Sequence, residues 1–267
     1  MRHLNGVGAV FRAIPSKALT LEQLSMPEVV RSLCKQSSGM ILVTGKTGSG
    51  KSTTLAAMID EINTRLNGHI LTIEDPIEFV HERKGCLISQ REVGVHTDSF
   101  ADALHSALRE DPDVILVGEM RDLETIGAAV TAAEMGILVM GTLHTNGSAQ
   151  TVDRIVNTFP ADKQSHIRTM LSTSLRGVIS QQLLPTKGKP GRVAALEIMV
   201  NTAAVANLIR QGKLDQLETS MQSGGSIGMQ TMDWALMDLV EKGVIAGREA
   251  YQQANNKQKF QSVRDDT

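Results

Sequence analysis

The sequence predicts an α/β fold: a mainly parallel sheet with helices on both faces, followed by a helical C-terminal region. Three observations predict it. Compact apolar runs alternate with helical stretches between Gly39 and Leu143, and strand–helix alternation of this kind builds parallel sheets. A Gly-rich loop joins the first of these runs to its helix. After Pro160 the texture changes to longer helical stretches broken by Gly-rich turns.

The elements follow in order. Val7 to Ile14 reads as a short strand closed by Pro15. With Gly6 and Gly8 beside it, this strand looks like the last piece of something larger. Residues 16–38 are loosely helical in spacing, with Pro27 as a helix start. Met40 to Thr44 suits a strand buried on both faces. A helix is expected over Ser52 to Leu66 and a strand over His69 to Ile73. Phe100, Leu104 and Leu108 recur at helical spacing behind Asp98 or Ser99 as a cap. Asp111-Pro112 stops that helix, and Val114 to Val117 is the next strand. Leu123 to Met135 is a helix with Gly136 at its end, and Ile137 to Leu143 is a strand. Ala161 to Leu184 reads as one long helical stretch. Val193 to Val200 is strand-like, Thr202 caps a helix ending near Gly212, and Met229 to Lys242 is a helix closed by Gly243. The tail from Asn255 is polar and expected to fray.

Composition narrows the class. The chain has 267 residues, with 27 basic and 29 acidic side chains and a net charge of −2. At this length about three-quarters of the unfolded surface is buried on folding, so no disulfide or metal staple is needed. The near-neutral charge and the aromatic count (five Phe, one Trp, one Tyr) give little for phosphate tracks or base stacking, so no nucleic-acid partner is expected. Cys34 and Cys86 form no Cys-x-x-Cys pair and read as free thiols of a reducing compartment. No apolar run approaches the ~20 residues of a membrane span. The first residues carry no apolar signal segment. A cytoplasmic location is therefore expected, with membrane association only through a partner.

Four segments carry chemistry. Gly45-Lys46-Thr47-Gly48-Ser49-Gly50-Lys51-Ser52 fits the phosphate-loop pattern G-x-x-x-x-G-K-[ST], with a strand expected before it and a helix after it. Its glycines let backbone N–H groups converge on phosphate oxygens without a Cβ in the way. Lys51 would reach the β- and γ-phosphates, and the Ser52 hydroxyl would bind Mg²⁺. Thr53 continues the same turn. Glu119 ends the strand Val114 to Val117, where Mg²⁺ or its waters need a ligand. Taken alone, such an acid is usually a solvated loop residue. Glu74, Asp75 and Glu78 place three carboxylates within five positions after another strand. Like charges repel, so such a cluster favours a nearby cation, and one of the three could polarise an attacking water. His144 ends the fourth strand on the same edge, where it could contact a γ-phosphate; in isolation it would more often be a packed or surface imidazole. His69, His96, His105 and His166 lack such a context.

Together these segments resemble the secretion-superfamily hexameric ATPases, specifically the type IV pilus retraction (PilT-like) ATPases. The resemblance runs nearly end to end. It includes "GAVFRAIP" at 8–15, "GMILVTGKTGSGKSTTLAAMID" at 39–60, "ILTIEDPIEFVH" at 70–81, "SALREDPDVILVGEMRDLET" at 106–125, "GTLHTNGSAQTVDRI" at 141–155 and "SGGSIGMQTMD" at 223–233. The resemblance implies a RecA-like P-loop NTPase core that binds ATP and Mg²⁺. It makes Gly45 to Ser52 the Walker A loop, Glu119 the Walker B acid, Glu78 the water-activating glutamate of an acidic box at 74–78, and His144 the histidine-box residue. It implies a homo-hexameric ring whose ATP hydrolysis powers pilus retraction and twitching motility, working on an inner-membrane pilus platform protein.

By the same resemblance, residues 1–15 are expected to be the remnant strand of a truncated N-terminal domain and 16–38 a linker and helix. The ATPase core is expected over 39–200, a helical C-terminal region over 201–254, and a polar tail over 255–267. Three features depart from the family pattern. Within the N-terminal remnant, residues 1–15, only Arg2 and Arg12 remain, and Asn5 stands where the family often has arginine. That matters because an arginine finger contributes about 10³–10⁵ in rate, so turnover of this chain by itself is an open expectation. The histidine box keeps only His144, because Met135-Gly136-Ile137 replaces the stretch that often carries a second histidine. The absence of Cys-x-x-Cys pairs favours retraction over assembly. Ala203 to Lys213 resembles the retraction family's C-terminal motif. The alternatives are a pilus-assembly or type II secretion ATPase, an accessory retraction paralogue, a nucleotide switch that binds without turnover and, further off, a RecA-like DNA translocase.

Overall fold

A computed structural model of the chain describes residues 2–3, 6–7, 17–188 and 190–266. Arg2–His3 (β1) pairs antiparallel with Gly6–Val7 (β2). The strand expected over Val7 to Ile14 falls outside the described residues from residue 8 onward. Glu28–Cys34 (α1) starts directly behind Pro27, as its sequence predicts.

The centre is a seven-stranded sheet. Its inner strands are Gly39–Thr44 (β3), His69–Glu74 (β4), Val114–Val117 (β6) and Leu138–Leu143 (β7). Leu87–Glu92 (β5) flanks them on one side. Leu175–Pro185 (β8) and Arg192–Val200 (β9) flank them on the other. The spatial order is β5-β4-β6-β7-β3-β8-β9. Every pairing is parallel except the last, β8 with β9.

Alternation along each inner strand explains why both sheet faces are covered. In β3, Met40 and Leu42 enter one core and Ile41 and Val43 the other. Successive strand side chains point to opposite faces, so a continuous apolar run requires helices on both. Lys51–Arg65 (α2) packs with α1 on one face, through Leu55, Met58, Ile59 and Ile62. The other face is covered by Phe100–Ala107 (α3), Leu123–Glu134 (α4), Ser148–Asn157 (α5), Ala161–Ser174 (α6), Ala203–Gln211 (α7) and Leu217–Ser223 (α8). Caps set several of these starts: Ser99 accepts from the Asp102 N–H, Asp122 from that of Thr125, and Thr202 from that of Val205. Met232–Glu241 (α9) and Gly247–Gln253 (α10) build a third, smaller core with Leu184, Ala195 and Phe260.

The structure corrects four expectations. The stretch expected as one helix over Ala161 to Leu184 is helix only to Ser174, and from Leu175 it is strand β8. Its apolar spacing fits both periods, but Gly177 and the β-branched pair Val178-Ile179 favour strand. A Cβ on Gly177 would also lie 3.0 Å from Leu33 and from the Met199 carbonyl, so the backbone there runs against its neighbours. Strand β5 and helix α5 lie where no element was expected. The third helix of the C-terminal region begins at Met232 rather than Met229, because Thr231 caps it and Gln230 bridges to Ile198. The tail does not fray as a polar segment should: Lys257–Phe260 forms a 3-10 turn and Phe260 is fully buried.

Candidate active site

Parallel strands place their C-terminal ends on one edge. Thr44 pairs with Leu143, Ile73 with Val117, and Val117 with Gly141. The loops after β3, β4, β6 and β7 therefore open into one cleft of about 510 Å³. Thr47, Gly48, Gly50, Lys51, Ser52 and Thr53 line it from the glycine loop. Glu78, Glu119 and His144 line it from the three other loops. Gly45 and Ser49 lie beneath this lining, and Ser49 is buried. Four segments scattered over 100 residues of sequence thus meet on one sheet edge.

The glycine loop has the backbone its composition requires. Gly45, Gly48 and Gly50 have φ of 139°, 79° and 90°, a region side chains rarely adopt. Gly50 is the N-cap of α2 and no side chain caps that helix. The first-turn N–H groups therefore face the cleft without a side-chain acceptor. The Ser49 hydroxyl oxygen is buried without a hydrogen-bond partner. An uncapped helix start, left-handed glycines and an orphaned hydroxyl together fit a phosphate group. Lys51 Nζ donates to the carbonyls of Gly45 (2.9 Å) and Lys46 (3.1 Å). Burial lowers the pKa of this lysine, while the carboxylates of Glu119 and Glu78 act against that.

The acids occupy three different environments. Burial raises the pKa of Glu74, although it accepts hydrogen bonds from the Thr72 hydroxyl (2.6 Å), the Gln90 amide (3.1 Å) and the Glu78 backbone N–H. Both Glu74 and Glu78 line the cleft, but Glu74 is buried and held by Thr72, Gln90 and the Glu78 N–H, which makes it a brace for the loop. At Glu119, burial pushes the carboxyl pKa up, but Arg121, His144 and Lys51 outweigh it and the net direction is down. Its carboxylate meets His144 Nε2 at 2.9 Å and forms a close two-pronged ion pair with Arg121. Among the described residues, no group of three His, Cys, Asp or Glu side chains could hold a metal by itself. Ser52 and Glu119 line the same cleft, so a cation there would share its ligands with bound phosphate oxygens.

Sequence reasoning missed the residues that hold these loops. Gln90 of β5 donates to the Phe79 carbonyl (2.9 Å) and accepts from the His81 N–H (2.9 Å), and Glu92 accepts from the Ile77 N–H (3.0 Å). Glu78 is therefore bracketed on both sides by contacts to β5. Behind His144, the Gly147 N–H donates to the Ser180 hydroxyl (2.8 Å) and the Ser148 N–H to the buried Glu197 carboxylate (2.6 Å). Arg121 carried no signal beyond its place two residues after the strand-end acid.

The profile of a family described as "Type II/IV secretion system protein" matches residues 2–255. The chain is 58% identical over 255 residues to a protein of Pseudomonas aeruginosa named "Type IV pilus retractation ATPase PilT", a match covering 96% of this chain and 74% of that protein. It is 59% identical over 251 residues to a "Twitching motility protein" of Neisseria gonorrhoeae, covering 94% of this chain and 67% of that one. Among solved structures, "Crystal Structure of the Pilus Retraction Motor PilT and Bound ADP" superposes with a TM-score of 0.88 at 49% identity, over 93% of this chain and 70% of that one.

Proposed function

The chain belongs to the type II/IV secretion system protein family, and from that premise we propose that it is an ATP-hydrolysing motor of type IV pilus retraction. One observation carries this reading. The glycine loop, two strand-end acids and His144 meet in one cleft of a mainly parallel sheet, in a chain that aligns nearly end to end with retraction motors. The motor works as a ring of six copies, cytoplasmic and peripheral to the inner membrane, with a pilus platform protein as its partner. Among the described residues no helix is long and apolar enough to cross a membrane, in keeping with attachment through that partner. On this reading residues 39–200 are the ATPase core and 201–254 a helical C-terminal region.

Bound Mg²⁺-ATP supplies the phosphoryl group and the cation that neutralises its developing charge. The chain's own residues do the rest. The backbone N–H groups of Gly48 and of Gly50 to Ser52 hold the phosphates, and Thr53 extends that first helical turn. Lys51 gives up its loop carbonyls to bind phosphate oxygens. The Ser52 hydroxyl and the ionised Glu119 hold the cation side of the cleft. A Glu78 carboxylate oxygen accepts the proton of the attacking water, its loop fixed by β5. His144, whose Nε2 rests on Glu119, would contact the γ-phosphate by giving up that partner.

The test is ATP turnover of the chain over a concentration series, with twitching of a retraction-null strain as the functional readout. Glu78→Gln is expected to lower turnover about 10²–10⁴-fold, the usual share of a general base, while ADP still binds. Unchanged turnover in Glu78→Gln would remove the base assignment. Turnover stimulated by DNA, with steep salt dependence, would replace the motor reading with a translocase.

A further inference from the structure

Both glycines that bound the phosphate-loop pattern pack on one residue of a neighbouring strand, Gln181 of β8. A Cβ on Gly45 would lie 2.3 Å from the Gln181 backbone oxygen, and a Cβ on Gly50 would lie 2.7 Å from the Gln181 side-chain nitrogen. Gln181 is 3% exposed. Its Nε2 donates to the Ser49 carbonyl at 2.7 Å, and its Oε1 accepts from the Thr54 hydroxyl at 2.7 Å. Thr54 is itself buried in the first turn of α2, with its N–H on the Gly50 carbonyl at 3.0 Å.

The geometry points to Gln181 as the positioning residue that sets the direction of the loop's phosphate-binding amides. A trans peptide is planar, and its C=O and N–H point opposite ways. Holding the Ser49 oxygen down onto β8 turns the Gly50 N–H up, toward the cleft that Gly50 lines. The contact needs a donor at one end and an acceptor at the other, which a carboxamide supplies and neither a carboxylate nor a hydrocarbon does. The Ser49 carbonyl, which can only accept, fixes which end is which, and the Thr54 hydroxyl donates to the other end. Gln181 does not line the cleft. It acts through the loop, and β8 carries the contact from the cleft to the C-terminal core, where Leu184 is buried.

This inference rests on the nucleotide reading of the cleft, and the experiment separates the two. The full chain, Gln181→Met and Gln181→Glu are titrated calorimetrically with ADP and with AMP in Mg²⁺ buffer, and their thermal midpoints are recorded. Gln181→Met keeps an unbranched side chain of similar size. Losing the pin misdirects a donor aimed at the β-phosphate, so ADP affinity is expected to fall about tenfold in Gln181→Met. It should fall further in Gln181→Glu, where two acceptors face each other. AMP, which has no β-phosphate, should change less than about twofold, so the ADP-over-AMP preference collapses. Equal losses for both nucleotides, or a lowered midpoint with the preference intact, would reduce Gln181 to packing and overturn the inference. If the unsubstituted chain fails to bind ADP, the nucleotide reading falls and takes the inference with it. Should neither Gln181 variant fold, Thr54→Val decides: it removes the hydroxyl that anchors the carboxamide oxygen and should cut the preference about threefold, and an unchanged preference overturns the inference.

Discussion

The inner and flanking strands of this sheet divide the labour of the site. Strands β3, β4, β6 and β7 end in the groups that face the cleft, and their side chains are apolar on both faces. The flanking strands β5 and β8 carry carboxamides in their middles, and those carboxamides tie down the loops of their neighbours. Gln90 brackets Glu78, and Gln181 holds the glycine loop. The inner strands thus supply reactivity and stability together, whereas the flanking strands supply mostly direction. Losses on an inner strand should appear in unfolding, and losses on a flanking strand should appear in nucleotide chemistry.

The largest expected effect tests the first half of that contrast. Leu42 of β3 is fully buried beneath the helices of the larger core. Leu42→Ala should cost about 2–5 kcal/mol of stability through lost burial and the cavity left behind. Chemical denaturation would measure it, and a loss below about 1 kcal/mol would mean that stability does not reside in the inner strands. The next effect is smaller and falls on a different quantity. Gln90→Leu removes the bonds to Phe79 and His81 and one partner of the buried Glu74. An abandoned buried partner costs about 1–3 kcal/mol. If that cost is met by displacement of the Glu78 loop, turnover should fall roughly tenfold, since each 1.36 kcal/mol on the barrier is a factor of ten. A variant that unfolds more easily but turns over normally would erase the distinction between the strands.

The same division explains what could be read from the sequence. The inner strands are legible because an apolar run fully buried on both faces leaves a continuous signal, and "MILVT" and "VILV" have little else to be. The glycine loop, Glu119, Glu78 and His144 are legible because chemistry fixes their types and the strand ends fix their places. Strand β5 reads "LISQRE", with Leu87 half-exposed and polar residues on both faces, so it shows neither alternation nor an apolar run. Its role comes from partners far away in sequence. In β8 the apolar positions matched a helical period as well as a strand period. Gly177 and the β-branched pair Val178-Ile179 are a weak local sign of strand, and the place beside β3 in the assembled sheet decides it. Gln90 and Gln181 were hidden for one reason: a carboxamide that positions a loop needs only a distant backbone group at the right place, and no local spacing announces it.

Arg121 belongs to neither set of strands, and its substitution should have the smallest effect. It lies just past β6, is mostly exposed, and pairs with Glu119. Burial raises the pKa of Glu119, and Arg121, His144 and Lys51 together bring it below the ordinary carboxylate value. In Arg121→Ala the hydrogen bond and the adjacent positive charge are lost, so burial weighs more and the Glu119 pKa moves up. A depressed carboxylate contributes stability that is present above its unfolded pKa and lost as pH falls through its folded pKa. The variant should therefore lose part of that contribution, and the acid limb of its turnover profile should shift to higher pH while the neutral plateau changes little. Because Arg121 is exposed, salt should shrink the difference between the two profiles. Coincident acid limbs at low salt would mean that His144 and Lys51 alone keep Glu119 ionised, and that the functional ion pair runs between inner-strand ends, from β6 to β7, without help from outside the sheet.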